Sequence, residues 1–85
     1  ITVSVAAPPP ALPPAPATAS VRGVDGGFAP AAVTVAVGGT VTWTMDDEEH
    51  DVTWTAAAPP GGNIPRVDRG ASASRTFPEA GTYAY

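Results

Sequence analysis

Short runs of β-branched and aromatic residues, each closed by glycine or proline, constrain this chain more than any other feature. Eleven prolines and nine glycines are spread through 85 residues. From Val21 onward, strand signals recur about every ten residues. In the clearest run Val41, Trp43 and Met45 alternate with Thr40, Thr42 and Thr44, the period-2 pattern of a half-buried strand. Threonine suits the outer face of a sheet, so Val41, Trp43 and Met45 are expected in a core.

The same reasoning places the other elements. Ser20 to Val24 is expected as a first strand ended by Gly26-Gly27, with Phe28-Ala29-Pro30 a crossover and Phe28 a core plug. Val33, Val35 and Val37 alternate with Thr34 and Ala36, and Gly38-Gly39 is expected to close a hairpin. Asp51 to Thr55 reads as a strand with Val52 and Trp54 on one face. Ala56 to Gly70 reads as a long loop. Ser72 to Phe77 is a further strand, Pro78 to Gly81 a turn, and Thr82 to Tyr85 the start of the last strand. No amphipathic helical stretch and no internal repeat is visible. The expected fold is all-β, a small antiparallel β-sandwich.

The first nineteen residues have a different texture. They are uncharged and rich in Ala, Pro and Val, with prolines at positions 8, 9, 10, 13, 14 and 16. Proline fixes φ and donates no N–H, so residues 1–19 are expected to be a disordered tether. A second reading is the remnant of a secretory signal, since Ala17-Thr18-Ala19 has the small-x-small form of a cleavage site. Residues 20–85 are expected to form one partial domain.

Charge and composition exclude several functions. The net charge is −4 with four basic residues, Arg22, Arg66, Arg69 and Arg75, whereas phosphate backbones require a basic surface. Nucleic acid is therefore not an expected partner. No apolar run is long enough to span a bilayer, which leaves an anchor upstream of Ile1 as the one route to a membrane. With no cysteine, these residues form no disulfide and no cysteine-based zinc site. Ser72 and Ser74 have no histidine or acid placed to activate them. Adjacent Glu48 and Glu49 lack the opposed geometry of a glycosidase pair. The chain is not expected to be an enzyme.

Several pieces in fixed order carry a family resemblance. They are Phe28-x-Pro30, Val33-x-Val35, the Gly39-Thr40-Val41-Thr42-Trp43 strand, His50 before a Val-Thr strand, Gly70 before a Ser-rich strand, and Phe77-x-x-x-Gly81-Thr82-Tyr83-x-Tyr85. Together, from Phe28 to Tyr85, they resemble the blue-copper (cupredoxin, plastocyanin- and amicyanin-like) family. The resemblance implies a Greek-key sandwich and one type-1 copper. It also implies that His50, the single histidine, is the first copper ligand. In that family the G-T-Y-x-Y strand leads into a loop with the cysteine, second histidine and methionine ligands. The expectation is that the chain stops before that loop and lacks its C-terminal strand or strands. Two histidines, a thiolate and a weak methionine suit both copper oxidation states. One imidazole alone holds copper weakly.

The sequence departs from the family pattern around His50. Glu49 precedes it and Asp51 follows it, where many members carry a proline or small residue before and Asn, Ser or Thr after. A neighbouring carboxylate accepts hydrogen bonds from the ligand loop and also favours Cu(II). Met45 shares the phase of Val41 and Trp43, which makes it a core residue and not an axial ligand. Trp43, Trp54, Phe28, Phe77, Tyr83 and Tyr85 read as core, with Tyr83 or Tyr85 packed against Trp43. The acidic run Asp46-Asp47-Glu48-Glu49 has three open readings: a solvated turn, a hard-cation site, or a docking patch that steers a basic redox partner.

The leading expectation is a copper-binding, single-electron-transfer domain outside the cytoplasm, periplasmic, secreted or at the cell surface. Its rival is a copper-free β-sandwich binding or adhesion module on a Pro-rich stalk. A copper chaperone or a domain of a larger copper oxidase is a third reading. Fold alone does not decide among them.

Overall fold

The computed structural model describes residues 1–6 and 15–85 and is all-β. Nine strands are found among the described residues: β1 Thr2–Ala6, β2 Thr18–Val24, β3 Gly27–Ala29, β4 Ala32–Ala36, β5 Gly39–Met45, β6 His50–Val52, β7 Ile64–Val67, β8 Ser72–Phe77 and β9 Gly81–Ala84. One sheet has the order β4-β1-β9, a second β3-β2-β5-β8, and β6 pairs with β7 in a small third. Val3, Val5, Val35 and Tyr83 from the first sheet share one core with Val21, Val41, Trp43, Met45 and Phe77 from the second. This is a small β-sandwich.

The strand β5 follows the expected alternation, with Val41, Trp43 and Met45 all fully buried. Its neighbours were not legible from alternation. β1 runs parallel to β4, and β2 runs parallel to β5. The turn at Gly38 (φ +83°) therefore closes no hairpin, because β4 and β5 lie in different sheets. Gly39 makes that transfer between sheets tight: a Cβ there would lie 2.7 Å from the Ala36 carbonyl oxygen and 2.9 Å from that of Ala17. Val37, expected to share the face of Val33 and Val35, falls beyond β4 and is exposed.

At its described ends, the 1–19 segment is not a tether. Thr2–Ala6 is the central strand of its sheet, paired with β4 on one side and β9 on the other. Val3 and Val5 alternate with Thr2 and Ser4, and both valines are buried. Each contributes about 1.5–3 kcal/mol of burial. No proline precedes Pro8, so nothing prevents an inner strand here. At the other end Thr18 and Ala19 begin β2. The expectation for residues 7–14, which hold five of the six prolines, lies outside the described residues.

The long loop expected from Ala56 to Gly70 contains β7, whose Ile64 and Val67 are buried. Arg75 fastens the loop ahead of it. The guanidinium donates to the carbonyls of Gly62 (3.0 Å) and Asn63 (2.9 Å) as well as to that of its neighbour Ser74. Asn63 Oδ1 accepts from the Trp54 N–H, and the Trp54 indole N–H donates to the Gly62 carbonyl. These bonds give the carbonyls of Gly62 and Asn63 side-chain donors, beside the turn's own bond from Gly62 N–H to the Pro59 carbonyl.

Candidate metal-ligand site at His50

The strand β5 ends at Met45, and the acidic run Asp46–Glu49 turns the chain into β6, whose first residue is His50. That turn rests on the β2–β3 hairpin. The N–H groups of Asp46 (2.8 Å) and Asp47 (3.4 Å) both donate to the Gly23 carbonyl. Asp46 also pairs with Arg22 of β2. The backbone of β2 thus fixes where β6 begins, and with it the position of His50.

His50 is not a solvated residue of an acidic turn. Its side chain is only 16% exposed, and its ring packs against Phe28 at a centroid distance of 4.8 Å. Nε2 lies 2.8 Å from the Val24 carbonyl oxygen. A carbonyl oxygen only accepts, so Nε2 carries the hydrogen. In the neutral ring the lone pair then sits on Nδ1. A histidine that ligates a metal through one nitrogen characteristically donates its other N–H in this way. Phe28 was expected as a core plug. It is partly buried, and one of its ring contacts is the imidazole itself.

The carboxylates are arranged differently from the sequence order. Glu49 turns toward Arg66 (3.6 Å), and Asp51 accepts from the Thr53 hydroxyl (3.1 Å). Glu48 is the one that approaches the ring, with Oε1 at 3.6 Å from Nε2, beyond hydrogen-bonding range. Arg66 also reaches Asp68 (3.5 Å). Glu49, His50, Asp51 and Arg66 line a shallow depression of about 350 Å³. Two of the four carboxylates of the acidic run are therefore paired with arginines, Asp46 with Arg22 and Glu49 with Arg66.

Met45 is fully buried. Its sulfur and the His50 Cδ2 atom both border the space above Gly23 that a Cβ would fill. It is a core residue at this position. Tyr85 packs edge-on against Phe28, Trp43 and Trp54, and its hydroxyl accepts from the Trp43 indole N–H at 3.2 Å. An aromatic cluster thus supports the His50 end of the sandwich from below.

Among the described residues, no group of three or more His, Cys, Asp or Glu side chains is placed to hold a metal ion. His50 is the one imidazole of the chain, and its Nδ1 lone pair is not engaged by the bond to Val24. No family model matches the chain, and neither a curated protein nor a solved structure is matched by it.

Proposed function

We propose that His50 supplies one imidazole, through Nδ1, to a type-1 copper centre that carries single electrons between redox partners outside the cytoplasm. The observation that carries this reading is the bond from Nε2–H to the Val24 carbonyl on a ring that is largely covered. The reading needs a cysteine, a second histidine and a methionine from chain beyond Tyr85. Bound there, copper would supply the one-electron couple. This chain's own residues hold the imidazole still, so that little rearrangement accompanies a change of charge. The acidic run beside the site, with Asp47 and Glu48 adding to the paired Asp46 and Glu49, fits a basic redox partner steered by charge.

The test is copper content, visible spectrum and circular dichroism of the full-length gene product, wild type against His50→Ala. The reading expects a cysteine-to-copper band in the wild type and its loss in a folded variant. Stoichiometric copper with an unchanged spectrum in His50→Ala refutes it. A full-length product with no copper and no such band favours a binding or adhesion module.

A further inference from the structure

We infer that Gly23 is a positioning residue for His50, and that the β2–β3 hairpin as a whole is the mould that selects the imidazole's tautomer. Three features of that hairpin meet the ring. Gly23 has no side chain, and a Cβ built there would lie 2.8 Å from His50 Cδ2 and overlap the Met45 sulfur. Such an approach to the imidazole is closer than real Cβ contacts permit. Val24 supplies the carbonyl that accepts Nε2–H at 2.8 Å. Phe28, on the return strand β3, lays its ring against the imidazole at 4.8 Å and 43°.

The register explains why one residue has this influence. Gly23 pairs with Phe28 across the hairpin and with Met45 on β5. It therefore stands between the aromatic wall and the thioether, and the imidazole edge occupies the space its side chain would fill. Glycine inside a strand weakens it and marks a close approach by another group. Gly23 is not in a positive-φ conformation, so its backbone does not require glycine. Space is the reason.

The tautomer follows from this packing. With the ring held against Gly23 and Phe28, Nε2 is directed at Val24 and its proton is retained there, which leaves Nδ1 as the free donor. The functional consequence rests on the copper reading, while the geometry itself does not.

The experiment uses the metal-free 85-residue chain with nitrogen-15 in its histidine, at a pH where the imidazole is neutral. The expected wild-type result is two well-separated ring-nitrogen signals, a slowly exchanging Nε2–H, and a nuclear Overhauser contact between His50 and Phe28. Gly23→Ala should draw the two nitrogen signals together, speed exchange of the ring proton and remove the Phe28 contact. Gly27→Ala, in the same hairpin where a Cβ meets nothing within 4 Å, should leave all three unchanged. The double variant Gly23→Ala/Met45→Ala removes the thioether, so a displacement that persists is due to the imidazole contact. Wild-type nitrogen signals in either Gly23 variant overturn the inference. If neither folds, Phe28→Leu decides: it adds no atoms, and unchanged nitrogen signals there overturn the mould, whereas loss of the separation supports it. Failure of the copper reading appears elsewhere, as a full-length protein with this imidazole geometry and no copper.

Discussion

Trp43 should be the most costly single truncation in this domain, and its surroundings let the cost be worked out. It is fully buried, stacks edge-on against Trp54 at 5.8 Å and Tyr85 at 5.7 Å, and donates its indole N–H to the Tyr85 hydroxyl. Trp→Ala in a core costs about 3–5 kcal/mol. The bond to Tyr85 adds little when both partners go, but its loss leaves a half-buried hydroxyl without its donor, worth about 1 kcal/mol. At roughly 0.05–0.15 kcal/mol per residue, a domain of this size has about 4–13 kcal/mol in total. Trp43→Ala therefore removes about a quarter or more of the stability and unfolds a domain at the lower end. Trp43→Phe keeps a ring and loses the N–H, so it should cost about 1–2 kcal/mol. Urea unfolding followed by far-ultraviolet circular dichroism measures both. A loss below about 1 kcal/mol for Trp43→Ala would refute the claim that this ring is central to the core.

Four further outcomes follow from the same contacts. Val3→Ala should cost about 2 kcal/mol, two buried carbon groups plus a cavity; no change in the urea midpoint would return residues 1–6 to the role of a tether. Arg75→Ala should free the carbonyls of Gly62 and Asn63, cost about 1–3 kcal/mol and raise amide exchange in residues 61–63, whereas unchanged exchange would show that the loop stands without it. Burial raises the Tyr85 phenol above its ordinary value of 10.0, with the Trp43 hydrogen bond pulling the other way. The unfolded chain then loses that proton first, so this contribution is whole below about pH 10 and is lost as pH rises through the folded value; Tyr85→Phe should abolish that part of the alkaline slope. The 85-residue chain, with one histidine and no cysteine, should bind copper weakly and show no intense thiolate-to-copper band, so a blue product would contradict the four-ligand reading.

Legibility from sequence tracked the range of the interaction. Period-2 alternation placed β5 and put Trp43 and Met45 inside, and the aromatic character of Phe77 put it in the core at the end of β8, because one strand against one core is a local matter. Parallel pairing of β1 with β4 and β2 with β5 joins residues far apart in the chain, and alternation carries no information about partners. The valines of β1 were hidden by the proline-rich composition that follows them. Pro65 sits inside β7, exposed on an edge strand where its missing N–H costs nothing. That is why a real strand read as loop. His50 stood out as the single histidine, but its tautomer depends on a carbonyl 26 residues away, which no pattern announces. Gly23 did leave a signal, a glycine inside an otherwise β-forming run.

The most direct test is which ring nitrogen of His50 answers to copper. The measurement is titration of the nitrogen-15 histidine-labelled chain with Cu(I) under anaerobic conditions, with both imidazole nitrogens followed. The account predicts a weak, saturable shift at Nδ1 while Nε2–H keeps its bond to Val24. A response at Nε2 with loss of that proton, or no response at either nitrogen, would contradict it.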